Sequence, residues 1–227
     1  MRQIPLKVQL DDNATFDNFF IGSNRQLLSR MKSAAQTRNE FIYIWGSIES
    51  GKTHLAQALC SEFNKAGLSS AYLPLGDSNL TSEILQGMNF MDLVCIDELE
   101  KVEGNSSWEN ALFDLYNNLK NENRSLVVFS DKAPAQTQFS LADLKSRLTA
   151  MEVYKLESMD DEQKVELFIS RASHRGLEVP PEVVKFLITR KSRSVAALMA
   201  MLEQIDHSSM ALQRKVTIPL VKELFDL

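Results

Sequence analysis

Short apolar runs alternate with longer stretches of helical spacing over the first two thirds of the chain. Residues 41–45, 70–75, 91–96, 125–130 and 152–156 are rich in Val, Ile, Leu and aromatic side chains. Each run is short and apolar, as a strand covered on both faces should be. Between them, 52–66, 78–86, 108–120 and about 140–148 have the length and spacing of helices. This alternation predicts an α/β domain built on a five-stranded, mainly parallel sheet. After about residue 157 the apolar spacing is helical only, in 160–174, 181–190, 195–206 and 218–225, with Pro180, Pro181 and Pro219 at helix starts. The expected organisation is a leading flexible segment (1–14), an α/β core (15–157) and a small all-helical unit (158–227).

One loop carries a complete chemical motif. Gly46-Ser47-Ile48-Glu49-Ser50-Gly51-Lys52-Thr53 matches G-x-x-x-x-G-K-[ST]. It directly follows one expected strand and opens an expected helix, the context that separates a phosphate-binding P-loop from an incidental Gly-rich turn. Gly46 and Gly51 let the backbone wrap so that the N–H groups of the loop, around Glu49 and Ser50, face phosphates at a helix N-terminus. Lys52 then neutralises β and γ oxygens, the Thr53 hydroxyl completes a magnesium shell, and His54 lies close enough to affect nucleotide contacts. The cofactors expected are ATP or ADP with Mg2+.

Leu93-Val94-Cys95-Ile96-Asp97-Glu98 is an apolar strand ending in two carboxylates. An acidic pair after a strand is by itself an ordinary solvated loop. Downstream of a P-loop, Asp97 is expected to hold the magnesium water shell and Glu98 to polarise an attacking water. If the strand ending Phe129-Ser130-Asp131 neighbours this one, Asp131 is positioned to sense a γ-phosphate, as sensor I does in AAA+ proteins.

Four further segments resemble the AAA+ domain of the replication initiator DnaA: Thr15-Phe16-Asp17-Asn18-Phe19-Phe20-Ile21-Gly22, Gly51-Lys52-Thr53-His54-Leu55, Leu144-Lys145-Ser146-Arg147-Leu148 and Gly176-Leu177-Glu178-Val179-Pro180. The likeness runs from about residue 15 to 206, with few residues on either side for the initiator's other domains, so a free-standing relative is expected. With its ending Arg214-Lys215-Val216-Thr217-Ile218-Pro219-Leu220-Val221-Lys222-Glu223, such a chain resembles the Hda family, regulatory inactivators of DnaA. The resemblance implies that the helical unit is an AAA+ lid and that Phe20 and Ile21 pack near adenine. It implies that Arg147 is an arginine finger acting in trans on DnaA, and that ADP is the first choice of resident nucleotide. Gln3-Ile4-Pro5-Leu6-Lys7-Val8 fits a sliding-clamp-binding peptide, with Gln3 at a pocket rim and Ile4, Leu6 and Val8 in apolar pockets. The implied partners are therefore DnaA and the DNA polymerase III sliding clamp (beta subunit), with DNA reached through the clamp. One departure concerns the lid, where Ala196 occupies the position of a sensor II arginine and Arg193 lies one turn earlier.

Composition narrows the alternatives. A formal charge of −5 over 227 residues argues against a bulk electrostatic grip on DNA. Cys60 and Cys95 lack the spacing of a zinc site and fit buried free thiols, and no apolar stretch suits a signal peptide or a membrane span. A cytoplasmic protein is expected, and self-association is compatible with the sequence. A helicase loader of the DnaC type would favour a basic strand-binding surface, and a small-molecule P-loop kinase a second substrate pocket. Neither feature is evident. Met199, Met201 and Met210 fit lid packing, and Trp108, Phe113 and Tyr116 one helix face against the sheet.

Overall fold

The computed structural model describes residues 14–212 and 215–227. Gln3, Ile4, Leu6 and Val8 of the expected clamp peptide lie outside the described residues. Backbone contacts divide the chain after Ser158 into two compact units. In the first, strands β1 (Phe41–Trp45), β2 (Ser70–Pro74), β3 (Leu93–Asp97), β4 (Ser125–Ser130) and β5 (Glu152–Lys155) form one sheet in the order β2-β3-β4-β1-β5. Every neighbouring pair is parallel, so the expected α/β fold is the one observed.

Helices α1 (Arg25–Ala34), α2 (Lys52–Lys65), α3 (Ser106–Asn121) and α4 (Ala142–Thr149) cover this sheet. Alternate strand residues feed two apolar layers, because side chains along a strand point to opposite faces. Ile42, Ile44, Cys95, Val127 and Phe129 pack with Leu27 and Met31 of α1 and Leu55, Leu59 and Phe63 of α2. Tyr43, Val94, Ile96, Leu126 and Val128 pack with Trp108, Leu112, Leu115 and Tyr116 of α3, and Phe113 lies partly buried against them. Cys60 and Cys95 are free and fully buried in the first layer, and burial pushes the Cys95 thiol well up.

Three elements differ from the sequence-based expectation. The strand at 152–156 is not covered on both faces: Glu152, Val153 and Lys155 are exposed, because β5 forms the edge of the sheet. The helix expected over 78–86 is a 3₁₀ segment at Ser82–Phe90. Upstream, the Asp77 carboxylate accepts from the Asn79 backbone at 2.9 Å and its amide at 2.8 Å, a local turn that competes with helix. Helix α1 is additional. Its Leu27, Leu28, Met31 and Ala34 make a regular buried stripe, but Asn24 before it supplies no side-chain cap. Asn24 instead clasps the chain after β5, accepting from Glu157 N at 2.9 Å and donating to Glu157 O at 3.0 Å.

The second unit, Met159–Leu227, is all helical: α5 (Asp161–His174), α6 (Pro181–Arg190), α7 (Val195–Leu212) and α8 (Ile218–Phe225). A capping box starts α5, in which Gln163 N donates to Asp160 at 2.8 Å and Asp160 N to Gln163 at 3.1 Å. Pro181 begins α6 and Thr217 caps α8. Phe168, Val184, Leu187, Leu198, Leu202 and Ile205 form the core, with Met201 buried and Met199 packed against it. No helix among the described residues is long and apolar enough to cross a membrane.

A buried carboxylate ties α3 to the approach of α4. Glu109, 1% exposed, accepts from Gly104 N at 2.9 Å, Ser140 N at 3.1 Å and Leu141 N at 2.7 Å. Replacing it with Ala strands three backbone donors at about 1 kcal/mol or more each. Glu109→Ala is therefore expected to cost roughly 3 kcal/mol in urea unfolding, and a loss below about 1 kcal/mol would contradict this role.

Candidate functional site

Because the sheet is parallel and β4 lies between β1 and β3, the loops leaving these three strands meet at one end. Ligands of open α/β sheets bind at that carboxyl end. The loop after β1 is held against its neighbours by contacts that dictate its sequence. Gly46 N donates to Ser130 O at 3.1 Å, and a Cβ at Gly46 would sit 2.5 Å from the Leu156 carbonyl oxygen. Gly51 has φ +100° at the start of α2, and a Cβ there would also meet the Phe19 ring at 2.9 Å. Glu49 (φ 64°) and Glu98 (φ 57°) are left-handed without being glycine. Such backbone costs roughly 1 kcal/mol or more per residue and gathers at functional sites.

Lys52 folds back over this loop, donating to Gly46 O and Ser47 O, each at 2.8 Å. Burial pulls its ammonium below the usual lysine range, and the negative charges of Glu100, Asp97, Asp131 and Glu98 oppose that shift. A phosphate brought against it would favour the charged ammonium and oppose the effect of burial. Thr53 Oγ1 donates to Asp97 Oδ2 at 2.6 Å, and Tyr72 OH donates to the same oxygen at 3.1 Å. Glu98 N donates to Asp97 Oδ1 at 3.0 Å. Mg2+ fits the Thr53–Asp97 pair, since it takes one or two protein oxygens and completes its shell with phosphate and water. Glu98 is partly buried, with its carboxylate against Gly76.

The end of β4 completes the cluster. Ser130 Oγ and Asp131 N both donate to Glu100 Oε2, each at 3.1 Å. Two buried polar atoms are left without a partner, the Ser50 hydroxyl and Asp131 Oδ1. Unpaired buried polar atoms are costly, and their position on the loop and the neighbouring strand end points to a polar ligand. The neighbour relation on which the sensor position of Asp131 depends is present.

His54 Nε2 lies 2.8 Å from Thr15 O, and its ring is 5.5 Å from that of Phe19. The segment before α1 is thereby fastened to the loop. Phe20 is partly buried and Ile21 is 43% exposed, leaving apolar surface beside this segment. Arg147 belongs to the other end of the sheet. It is exposed on the last turn of α4, with its guanidinium 5.8 Å over the Tyr116 ring. Tyr116 in turn packs at 4.8 Å on Phe41, the first residue of β1, whereas the P-loop follows the last. Within the second unit Ala196 is exposed, and Arg193 Nη2 lies 3.6 Å from Asp161 Oδ2.

Three residues of the cluster carry no motif: Tyr72, Glu100 and Ser130. Glu100 is legible only as a third acid two positions after Glu98. Tyr72 becomes visible once register places it on β2 opposite Cys95, beside Asp97.

A parallel sheet in this strand order, a Gly-Lys-Thr loop after β1, an acidic strand end at β3 and an all-helical companion unit define an AAA+ P-loop protein. A family model of the bacterial DnaA ATPase domain matches residues 10–153, more than half of the chain, and a model of the Hda lid domain matches residues 161–225. The chain belongs to the bacterial DnaA ATPase-domain family and is of the Hda type. Among solved structures, domain III of the Thermotoga maritima replication initiation protein DnaA is similar at 22% identity and a TM-score of 0.78, over 96% of this chain and 98% of that one. AMPPCP-bound DnaA from Aquifex aeolicus is similar at 23% identity and a TM-score of 0.74, over 87% of this chain and 66% of that one. The Thermotoga maritima RuvB Holliday junction branch migration motor is similar at 13% identity and a TM-score of 0.66, over 89% and 68%. At these identities the likeness is one of fold.

Lys52→Ala removes the cation of the cluster. For the unaltered protein, ADP at a hundredfold excess over its dissociation constant should raise unfolding free energy by about 2.7 kcal/mol. Lys52→Ala is expected to lose that gain in a calorimetric melt with and without ADP. A gain retained in full would place the nucleotide elsewhere.

Proposed function

We propose that this chain is a negative regulator of replication initiation that stimulates ATP hydrolysis on DnaA. Nucleotide and Mg2+ bind at Gly46, Glu49, Ser50, Gly51, Lys52, Thr53 and His54, with Asp97 on the metal and Phe20 and Ile21 toward the base. Bound nucleotide is a structural ligand that prepares the chain to dock. Gln3, Ile4, Leu6 and Val8 hold the DNA-loaded sliding clamp, and Arg147 enters the nucleotide site of ATP-bound DnaA. The product is ADP-bound DnaA, inactive for initiation.

The observation that carries this proposal is the position of Arg147. It is exposed on α4 and linked through Tyr116 to Phe41, at the opposite end of β1 from Lys52. Five strand residues span about 13 Å between their first and last Cα atoms, too far for the guanidinium to serve its own P-loop. A finger presented outward stabilises charge on a partner's phosphoryl group, an effect of about 10³ to 10⁵ in rate. The Tyr116 ring limits the freedom of the side chain before docking, which lowers the entropy lost on insertion.

Arg147→Ala is expected to reduce stimulated hydrolysis on DnaA by about 10³-fold while ADP binding by this chain is retained. Phosphate release from DnaA and calorimetric ADP titration measure the two effects separately. Stimulation retained by the variant would remove Arg147 from the role.

Asp97 and Glu98 also favour a slow hydrolysis of ATP by the chain itself, since Glu98 follows the metal-side carboxylate directly. With no arginine supplied to this site, turnover should stay near the intrinsic rates of about 10⁻³ s⁻¹ typical of unassisted P-loop proteins. Glu98→Gln should abolish it in a phosphate-release assay on the isolated protein. Unchanged hydrolysis in that variant would exclude Glu98 as the base.

A further inference from the structure

Asp97 is 1% exposed, and its hydrogen bonds decide which of its oxygens a metal can reach. An ionised carboxylate has two oxygens with about four lone-pair positions between them. Oδ2 takes two donors, the Thr53 hydroxyl at 2.6 Å and the Tyr72 phenol at 3.1 Å, and Oδ1 takes Glu98 N at 3.0 Å. With these bonds three positions are filled, and one, on Oδ1, stays open. Thr53 gives up nothing by donating, since a hydroxyl keeps its lone pairs for a cation. The Tyr72 donor has no such second duty. Tyr72 stands on β2 opposite Cys95, and its ring packs, partly buried, against the layer that contains α2. Burial and the adjacent Asp97 charge push its phenol well above the usual tyrosine range, so it remains a donor at neutral pH.

We propose that Tyr72 determines metal specificity: by filling the second position on Asp97 Oδ2, it leaves the carboxylate one open lone pair and makes the site select Mg2+ over Ca2+. This rests on the nucleotide and metal assignment proposed above. Mg2+ keeps several of its waters and needs only an oxygen that accepts from one of them. Ca2+ takes about six to eight oxygen ligands and favours direct, often bidentate, carboxylates. A single open lone pair suits the first demand and fails the second. Tyr72→Phe keeps the ring and its packing but returns one position on Oδ2, a change that helps Ca2+ more than Mg2+.

The test is calorimetric titration of ADP into the full chain and into Tyr72→Phe, in saturating Mg2+, in saturating Ca2+ and in EDTA. The unaltered protein is expected to bind ADP about fivefold or more tightly with Mg2+ than with Ca2+. Tyr72→Phe is expected to shrink that ratio about fivefold and to leave binding in EDTA unchanged. Lost packing alone would weaken binding with both metals alike and keep the ratio. A folded Tyr72→Phe variant with an unchanged ratio overturns the proposal and leaves the site assignments standing. Equal affinities with the two metals in the unaltered protein overturn it without any variant, so a Tyr72→Phe chain that fails to fold does not protect it. ADP binding that neither metal changes would defeat the metal assignment as well, and no ADP binding at all would defeat the nucleotide-site assignment.

Discussion

The site depends on the β1–β4 ladder continuing one residue beyond the sheet. Trp45 pairs with Ser130 in register, and the next amide, Gly46 N, donates to Ser130 O at 3.1 Å. That bond sets where the loop begins relative to the end of β4. From there the left-handed Gly51 turns the chain into α2, and the first turn of α2 presents Thr53 to Asp97 at 2.6 Å. A side chain at Gly46 would drive the loop from Leu156, whose own N donates to Trp45 O at 2.7 Å. The loop is thus tied to β4 on one side and to the segment after β5 on the other. A P-loop fixed in this way can aim its donors before ligand arrives, which limits the ordering cost of binding.

The two ends of the sheet are built for different work. At the carboxyl end, acids and one half-buried lysine gather around backbone donors. At the amino end, the exposed Arg147 lies over the buried Tyr116 ring, which packs on Phe41, and the approach to α4 is anchored by the Glu109 carboxylate rather than by apolar packing alone. Under the proposed function, an arginine held there serves a neighbouring molecule. The same chain can then bind one nucleotide for its own conformation and act on another in its partner, with the sheet as rigid spacer between the two.

Much of this was legible in the sequence because its strongest signals are local. The strands of the central sheet follow from unbroken Val, Ile and Phe runs, and the P-loop from glycines and a lysine at fixed spacing. Long-range effects account for the rest. Helix α1 carries a regular apolar stripe, but Asn24, the residue that would announce its start, is spent on Glu157 more than a hundred positions away. Asp77 replaces expected helix with a side-chain turn. Glu100 and Tyr72 look like an ordinary acid and an ordinary strand aromatic until the strand order β2-β3-β4 brings them to Ser130 and Asp97.

The central claim is that the nucleotide turned over belongs to the partner. Its most direct test is a single-turnover experiment in which only DnaA carries γ-labelled ATP and this chain is preloaded with unlabelled ADP. DNA-loaded clamp is then added or withheld, and label release is followed in time. The account predicts fast release when chain and clamp are both present, with slow release when either is missing. Release at the unstimulated rate, with the chain folded and its own nucleotide bound, would contradict it and leave an AAA+ domain that serves a different partner.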